Sequence, residues 1–519
     1  MRTVFCVKSL IAVAICVLAM SADVRAGAVL TVNSTIAGNF CDDRLSLAEA
    51  LSIARGETLR FYTDGEKNQI SGATWIPSPL PPTCATFGWQ PVNGVGANFA
   101  DDIVFSNDPS ILSGAFILGK NDDINGLKPN GVKVILDGAA VGGVNSGLTI
   151  EVDSGSQVRN LEIRNYTANG IFSQALNGAK FEGLTLHHNN ASGMSFGFST
   201  GNTNKNSRNV TIGGTEPQHR NVIHSNGDHG IYIIAATGFD RFPDQGITIL
   251  NNLIGTSDGV TDNGNGQFGI LLQDVFGVTV GDTGGTTRNV ISGNGNDGIK
   301  IFGPFAVSNK IINNFIGTDI SGAVPLGNDW SGVGLTDGAG LNVDFVTSSP
   351  NRVGMPGAPN VISGNSWGVF IGYGNASKNI VQANYIGTNL GGNTDVGNAN
   401  EGVYLGNTSF DNLIGGTAAN ESNVIAFNNR NGIYQDDGAR NAFRRNRIFS
   451  NELLGIDIVP AAGVNSNDAL DADSGPNGLL NYPVITYVLQ LSMSVAIEGT
   501  YHSAPNQTYT LEFFGNSAA

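Results

Sequence analysis

Short aliphatic runs recur along most of the chain, and a glycine introduces each run. Ten glycines that are each followed by Ile, Val or Met form a column with spacings of 23 to 39 residues: Gly170, Gly193, Gly230, Gly269, Gly298, Gly332, Gly368, Gly402, Gly432 and Gly455. The residue before the glycine varies freely, so we expect it to face outward while the aliphatic residue faces the core. β-Branched runs broken by glycine and asparagine, without helical periodicity, predict short strands.

A longer repeat lies on top of this pattern. Asn-Val-Ile begins at four positions, spaced 68, 71 and 63 residues apart: Asn221, Asn289, Asn360 and Asn423. Ile-Gly-Thr falls between them, at Ile254, Ile316 and Ile386. Each long repeat therefore holds two turns of chain, and the second turn carries a loop after Ile-Gly-Thr. The loops share a Gly-Asn pair at equal offsets, which places them on one flank.

Recurrence of this kind is what a solenoid of stacked coils requires. Each strand then pairs with its counterparts about 4.8 Å away, and stacked asparagine amides can pair along a ladder. A shortest coil of 23 residues suits a three-sided, right-handed helix. The sequence predicts an all-β fold, a right-handed parallel β-helix of about ten or more coils over residues 129–460.

Three motifs carry a family resemblance. Asn-Val-Ile-Ser-Gly-Asn at 289–294, Ile-Gly-Thr-Asp at 316–319 and Ile-Gly-Gly at 414–416 resemble the repeats of pectin-lyase-like bacterial exported proteins. The resemblance covers about residues 130 to 460. It implies the right-handed parallel β-helix, a scaffold that carries lyases, hydrolases, epimerases, phage spikes and adhesins alike.

The N-terminus has the features of an export signal. Arg2 and Lys8 precede the apolar run 10–20, and small residues follow up to Ala26. We expect cleavage after Ala26, which removes residues 1–26 and leaves an extracellular or cell-surface protein. The run is too short to span a bilayer, so the mature chain is expected to have no transmembrane span.

A helical cap is predicted for the first coils. Four apolar residues have the spacing of an amphipathic helix: Leu47, Ala50, Leu51 and Ala54. Ser46 and Glu49 can form a capping box at its start. Residues 31–54 resemble the CSLREA-type segment of bacterial surface proteins, from which Leu45 and Ala48 depart. We assign residues 27–128 to this cap region.

Two cysteines, Cys41 and Cys84, remain after the predicted cleavage. An even pair in an exported chain most simply forms a disulfide, and the alternative is two separate buried thiols.

Beyond residue 460 the repeat gives way to an acidic turn and two alternating runs, near Val495 and Tyr509. We assign residues 461–519 to a linker and an incomplete β-sandwich-like segment. Oxygen-bearing side chains precede Gly478 at spacings typical of calcium loops: Asp468, Asp471, Asp473 and Asn477. Calcium binding is one hypothesis for this turn, and a solvated connection is the other.

Charge limits the partners. The chain has 27 Lys and Arg against 43 Asp and Glu, a formal net charge of −16. Nucleic-acid binding needs clustered cations, so we expect no nucleic-acid partner. An acidic surface suits divalent cations or neutral polymers.

Histidines are concentrated in one region. Five of the six fall within residues 187–229, and the candidates for a general base in polysaccharide elimination are His187, His188, Asp228 and His229. The alternative is that Asp228 and His229 merely occupy variable outward positions of the repeat.

Hydrolysis of a glycoside requires two carboxylates about 5 to 10 Å apart. Stacked equivalent loops could supply such a pair from Asp258, Asp262, Asp319, Asp329, Asp395 and Asp436–Asp437. Acids in Gly/Asn-rich turns usually cap backbone amides instead.

Aromatic residues in and beside the outward column suggest a third kind of site. Phe268, Trp330 and Trp367 are the candidates for presenting rings to sugar faces.

We therefore expect a non-catalytic, adhesin-like surface protein that binds an extended glycan or a cell surface. A polysaccharide lyase or glycoside hydrolase is the alternative, and a structural stalk is the second alternative. The oligomeric state stays open.

Overall fold

The computed structural model describes residues 29–32, 47–54, 69–71, 74–77, 89–93, 102–106, 111–152, 154–197, 207–235, 246–285, 287–343, 348–460, 464–490, 494–506 and 508–513. They divide into two compact units: unit 1 (residues 1–196 and 207–213) and unit 2 (residues 197–206 and 214–519). The predicted signal peptide, Ser46, Cys41 and Cys84 lie outside the described residues.

Unit 2 consists mainly of three parallel sheets, because each coil contributes one strand to each side. Sheet 2A contains Ile231–Ile234, Ile270–Gln273, Ile299–Phe302, Ser331–Thr336, Trp367–Gly372, Val403–Leu405, Ile433–Gln435 and Ile456–Ile458. Sheet 2B contains Val222–His224, Leu253–Ile254, Val290–Ile291, Phe315–Ile316, Val361–Ile362, Tyr385–Ile386, Val424–Ala426 and Arg447–Phe449. Sheet 2C contains Thr248–Leu250, Thr279–Val280, Lys310–Ile311, Arg352–Val353, Ile380–Val381, Leu413–Gly415 and Ala442–Arg444.

Unit 1 repeats the same three-sided arrangement. Sheet 1A contains Phe116–Leu118, Leu148–Ile150, Ile171–Ser173 and Met194–Phe196. Sheet 1B contains Ile111–Leu112, Val134–Asp137, Leu161–Arg164 and Thr185–His187. Sheet 1C contains Ile70–Ser71, Val29–Val32, Asp102–Phe105, Asp123–Asn125, Gln157–Arg159, Lys180–Glu182 and Thr211–Gly213, of which the first pair is antiparallel. A separate antiparallel pair joins Thr74–Pro77 to Trp89–Asn93.

The glycine-aliphatic column forms the core, as predicted. Ile231 pairs with Ile270, Ile270 with Ile299, and Ile299 with Val333 on adjacent parallel strands. All four side chains are fully buried. Asn-Val-Ile and Ile-Gly-Thr strands alternate in sheet 2B, which confirms two coils in each long repeat. The predicted right-handed parallel β-helix is therefore the fold of the chain.

Glycine is needed before the core aliphatic because the corner of each coil is crowded. A Cβ on Gly269 would lie 2.6 Å from the carbonyl oxygen of Gly298, 2.7 Å from Ile291 Cγ2 and 2.8 Å from Asn294 Nδ2. Backbone and core atoms cannot yield this much space, so any side chain would force the coils apart.

Asparagine ladders line the corners of unit 2. In each ladder, an Nδ2 group donates to the Oδ1 atom of the asparagine on the next coil. The first ladder, with N···O distances of 2.8 to 3.0 Å, contains Asn221, Asn252, Asn289, Asn314, Asn360, Asn384, Asn423 and Asn446. The second, with distances of 2.8 to 3.3 Å, contains Asn226, Asn265, Asn294, Asn328, Asn365, Asn398, Asn428 and Asn451. The third, with distances of 2.9 to 3.1 Å, contains Asn309, Asn351, Asn379, Asn412 and Asn441. The predicted pairing of stacked amides is confirmed.

The loops after Ile-Gly-Thr cover the outer face of sheet 2B. Leu253, Val290, Phe315 and Val361 form a buried cluster there, outside the β-helix core. Gly322 lies so close to this cluster that a Cβ would stand 2.5 Å from the Phe315 ring. The loops therefore occupy one flank, as their equal offsets predict.

The predicted cap helix is present in unit 1. It spans Leu47–Ala54, and its four apolar residues are at most 1% exposed. It packs against the strands Val29–Val32 and Phe116–Leu118. None of the helices in the described part of the chain is long and apolar enough to cross a membrane.

The C-terminal segment contains one antiparallel hairpin, Val484–Gln490 with Val495–Thr500. Its apolar side chains are mostly exposed. The alternating run near Tyr509 forms no strand in the described residues 508–513, where Glu512 forms an ion pair with Arg444. Alternation alone does not supply a neighbouring strand to pair with, and the incomplete β-sandwich-like segment stays a prediction.

Candidate functional site

Two rows of side chains run along sheet 2A on the outside of the core. The first row precedes the glycine column and contains His229, Phe268, Asp297, Ser331, Trp367, Glu401, Asn431 and Leu454. The second row follows the first core aliphatic and contains Tyr232, Leu271, Lys300, Gly334, Phe370, Tyr404, Tyr434 and Asp457, which parallel register places side by side.

The first row is not the uniformly exposed column that the sequence suggested. Asp297 and Ser331 are fully buried, and Glu401 is 2% exposed. A variable residue outside the core can therefore still be enclosed.

Aromatic side chains form a continuous row over successive coils. The centroids of the Trp330 and Trp367 rings are 4.6 Å apart, and those of Trp367 and Phe370 are 6.4 Å apart. The row continues from Phe370 to Tyr404 at 4.6 Å and from Tyr404 to Tyr434 at 5.8 Å. We call these five residues the aromatic row. Trp330 is 37% exposed, so the row is open to solvent at this end.

Buried carboxylates lie beside the aromatic row. Asp297 pairs with Lys300 at 3.1 Å and accepts a hydrogen bond from the Ser331 backbone amide at 2.9 Å. Glu401 accepts a hydrogen bond from Trp367 Nε1 at 3.0 Å and pairs with Arg430 Nε at 3.1 Å. Polar groups are thus held in place next to the rings.

The tyrosines of the row are surrounded by negative charge. Tyr404 donates a hydrogen bond to Asp436, and burial together with this carboxylate raises the pKa of Tyr404 well above its usual value. Burial also raises the pKa of Tyr434, and three carboxylates raise it further: Asp436, Asp457 and Glu401. Both phenols therefore stay protonated and serve as hydrogen-bond donors.

Two of the three predicted ring residues, Trp330 and Trp367, are brought together by the structure. Phe268 lies elsewhere on the same sheet, stacked on His229 at a centroid distance of 5.3 Å. Phe370, Tyr404 and Tyr434 were missed by the sequence reasoning. Their signal was the position two residues after each glycine, which pairs from coil to coil.

The imidazole of His229 is enclosed by rings. It stacks on Phe268 and meets the Tyr232 ring edge-on, with 5.3 Å between centroids in both cases. Its Nδ1 atom is buried without a hydrogen-bond partner among the described residues, and burial lowers the pKa of His229. Asp228 opposes this shift. The role of His229 or Asp228 as a general base stays a prediction.

The other predicted histidines belong to unit 1. His187 Nδ1 lies 2.6 Å from His188 Nδ1, and His187 Nε2 lies 3.2 Å from Glu162 Oε1. Arg164 joins Glu162 at 2.8 Å and Asp137 at 3.0 Å, which completes a charged network on sheet 1B. Burial lowers the pKa of His187, although its hydrogen bond with Glu162 opposes the shift. The network can hold and pass protons, and its catalytic use stays a prediction.

Acids in the loops after Ile-Gly-Thr cap backbone amides. Asp258 accepts from the amides of Val260 and Thr261, and these hydrogen bonds lower the pKa of Asp258 to about 2. Asp319 accepts in the same way from the Val324 amide at 3.1 Å. These contacts favour the structural alternative for the loop acids.

The acidic turn brings three of its four predicted ligands together. Carboxylate oxygens of Asp468, Asp471 and Asp473 lie within 4.8 Å of one another. Asp471 is already used, since it accepts from the Asn481 amide at 2.7 Å and from the Ser503 hydroxyl at 2.8 Å.

The fourth residue of the turn, Asn477, faces another partner. It exchanges two hydrogen bonds of 2.8 Å with the backbone of Asn441, the last residue of the third asparagine ladder. Calcium binding at this turn stays a prediction, with three carboxylates rather than four side chains available together.

No family model matches the chain, and no curated protein matches it either.

Solved structures share features of its fold. The A-module of the mannuronan C-5 epimerase AlgE6 from Azotobacter vinelandii is similar with a TM-score of 0.37 and 14% identity, over 70% of this chain and 92% of that chain. An alginate lyase from Paenibacillus sp. str. FPU-7 has a TM-score of 0.25 and 16% identity, over 69% of this chain and 92% of that chain. The periplasmic alginate epimerase AlgG has a TM-score of 0.20 and 11% identity, over 70% of this chain and 74% of that chain. At these values the likeness concerns the fold alone.

Proposed function

We propose that the protein binds an extended polysaccharide along the aromatic row of sheet 2A. The observation that carries this proposal is the run of five rings from Trp330 to Tyr434 over four successive coils, with Trp367 and Phe370 on the same strand. Successive strands are about 4.8 Å apart, a repeat comparable with the length of one pyranose unit. A polymer lying along the row can therefore meet a partly exposed ring, Trp330, Trp367, Tyr404 or Tyr434, on each of four coils.

Polar groups beside the rings support the same function. Ligand sites combine apolar and aromatic surface with a few well-placed polar groups, which fix the orientation of the ligand. Arg430 and the hydroxyl of Tyr434 border the row and can meet sugar hydroxyls. The ring faces of Trp330 and Trp367 suit the apolar face of a pyranose.

The cellular setting belongs to the same proposal. The N-terminal signal features support export of the mature protein, which would then meet extracellular or cell-surface glycans. Adhesion without catalysis and enzymatic action on the polysaccharide both use such a row, whereas a structural stalk requires no ligand at all.

Substitution of Trp330 tests the binding site. Trp330→Ala should weaken binding of the best polysaccharide in a mixed neutral and uronate panel by roughly tenfold, or about 1.4 kcal/mol. The reason is that this substitution removes the partly exposed ring of Trp330, which lies outside the β-helix core. Isothermal titration calorimetry gives the dissociation constant.

Tyr487→Ala is the matched control, because this ring is 50% exposed on the C-terminal hairpin. It should bind like the parent protein. Equal affinities for all three proteins, or no binding of any polymer, would contradict the proposal.

A further inference from the structure

The last three strands of sheet 2A bring two unlike carboxyl groups to the end of the aromatic row. Glu401 precedes Val403–Leu405, Tyr434 lies on Ile433–Gln435, and Asp457 lies on Ile456–Ile458. Tyr434 is paired in register with Asp457 on the adjacent strand. The two acids thus stand on either side of the coil that carries Tyr434.

Glu401 is held as a hydrogen-bond acceptor. Its two carboxylate oxygens face Trp367 Nε1 and Arg430 Nε, at 3.0 and 3.1 Å. An indole N–H only donates, and a guanidinium does not lose its proton in proteins. Both oxygens of Glu401 must therefore accept, and the 2% exposed side chain cannot turn away into solvent.

Asp457 is in the opposite situation. It is 9% exposed, and its Oδ2 atom accepts one long hydrogen bond of 3.3 Å from Asn431 Nδ2. The Oδ1 atom is buried and has no hydrogen-bond partner among the described residues. Burial raises the pKa of Asp457. An oxygen left without a donor is suited to carry a proton, and it needs a ligand atom to satisfy it.

We infer that Asp457 and Glu401 act as the general acid and general base that hydrolyse glycosidic bonds of an uncharged polysaccharide. This inference rests on the proposed binding of a polysaccharide to the aromatic row. It assigns to that site a reaction and a class of substrate.

The reaction consumes one water molecule for each bond broken. Asp457 gives its proton to the glycosidic oxygen while the bond from that oxygen to the anomeric carbon breaks. Glu401 takes a proton from the water whose oxygen forms the new bond to the same carbon. The products are a new reducing end and a free hydroxyl, and exchange with solvent returns Asp457 to the acid and Glu401 to the carboxylate.

The placement of the two acids favours inversion at the anomeric carbon. They are separated by one intervening strand and by three positions along the strand direction, which is roughly 14 Å between backbones. Asp457 reaches toward that intervening coil, to Asn431, and one oxygen of Glu401 does so too, to Arg430, while its other oxygen faces Trp367 on the opposite coil. Inverting enzymes hold their carboxyl groups roughly 6.5 to 9.5 Å apart, with room for a water, whereas retaining enzymes need about 5 Å.

The charges around the row select an uncharged polymer. Two cations lie beside the aromatic row, and both already form ion pairs: Lys300 with Asp297, and Arg430 with Glu401. Two further acids, Asp436 and Asp457, have no cation in an ion pair among the described residues. A uronate chain would therefore meet net negative charge, and a chain without carboxylates would not.

The test measures binding and turnover separately. The mature chain is incubated with a β-glucan, a galactomannan, an arabinan and a polyuronate, and new reducing ends are counted. We expect release from an uncharged polymer, with the inverted anomer seen first by NMR. Asp457→Asn and Glu401→Gln should each lower the rate at least about 100-fold, the scale of general acid–base catalysis. Their dissociation constants should change by less than about threefold.

Asp411→Asn is the control, because it removes an exposed carboxylate that pairs with Arg440 away from the row. It should keep the full rate. Binding without release of reducing ends would overturn the hydrolase inference and leave the proposed binding function standing, whereas no binding would end both. Retention of configuration, preference for the polyuronate, or full activity in either acid variant would also overturn the inference.

Discussion

Single residues along sheet 2A differ in protonation because their enclosures differ. His229 lies between Phe268 and Tyr232, with Nδ1 buried and unpartnered among the described residues. The rings exclude water and supply no charge to balance an imidazolium. Burial therefore lowers its pKa, and the neutral form is the one that the fold prefers.

His229 should make stability depend on pH in a defined direction. Its folded pKa lies below the ordinary 6.5, so the folded state binds fewer protons than the unfolded state just below that pH. This contribution to the free energy of unfolding is complete above pH 6.5 and declines as the pH falls below it. His229→Phe keeps the ring and cannot titrate. We expect the free energy of unfolding of the variant, relative to that of the parent protein, to increase as the pH is lowered from 7 to 5. Urea unfolding at several pH values measures this difference. A constant difference over this range would contradict the assignment.

Among the elements, the asparagine ladders explain how short strands remain in register. Many strands of sheets 2B and 2C are only two residues long, too short to fix their own alignment. Asn360 shows the compensation. Its Nδ2 group donates to Asn384 Oδ1 at 2.9 Å and to the Ile311 carbonyl at 2.7 Å. Its Oδ1 atom accepts from Asn314 Nδ2 and the Asn314 amide, both at 3.0 Å. One side chain thus links three coils.

Removal of one asparagine from a ladder should strongly destabilise the protein. Asn360→Ala leaves several buried donors and acceptors without partners, at about 1 to 3 kcal/mol for each unsatisfied group. We expect the free energy of unfolding to fall by at least about 3 kcal/mol, as measured from the shift in denaturant midpoint. Asn342→Ala, at an exposed asparagine, should change it by less than about 0.5 kcal/mol. Similar decreases in the free energy of unfolding for the two variants would show that the ladder does not stabilise the fold.

At the scale of the whole molecule, acidity and function are connected. The chain carries a net charge of −16 and a sequence pI of about 4.7. Such a charge favours solubility and repels anionic polymers. An uncharged polysaccharide on the aromatic row neither gains nor loses from this field, because it has no charge to interact with it.

Salt should therefore have little effect on binding. Between about 0.01 M and about 1 M salt the Debye length falls from roughly 30 to 3 Å, which screens nearly all long-range interactions. The dissociation constant of the uncharged polysaccharide, measured by calorimetry, should stay within about twofold over this range. Weakening by tenfold or more at high salt would indicate that charge attraction, rather than stacking on the rings, drives binding.

Repetition made much of the fold predictable. Every coil needs the same three features: a glycine at its crowded corner, an aliphatic residue in the core and a stacked asparagine. Because these residues recur in each coil, they give the sequence a visible period. The helix Leu47–Ala54 was predictable for a related reason, since its buried face has its own periodicity. Neither feature depends on residues that are distant in the chain.

The candidate site is different, because it consists of positions that the repeat leaves free to vary. Glu401, Tyr434 and Asp457 share no local motif, and they become neighbours only when three coils stack in register. Burial of Glu401 and the unpartnered oxygen of Asp457 also follow from what adjacent coils place over them. The sequence by itself determined the coil, its corners and its cap, since each is encoded within one repeat. Only the tertiary structure decided which variable side chains meet, because that depends on register across coils 23 to 39 residues apart.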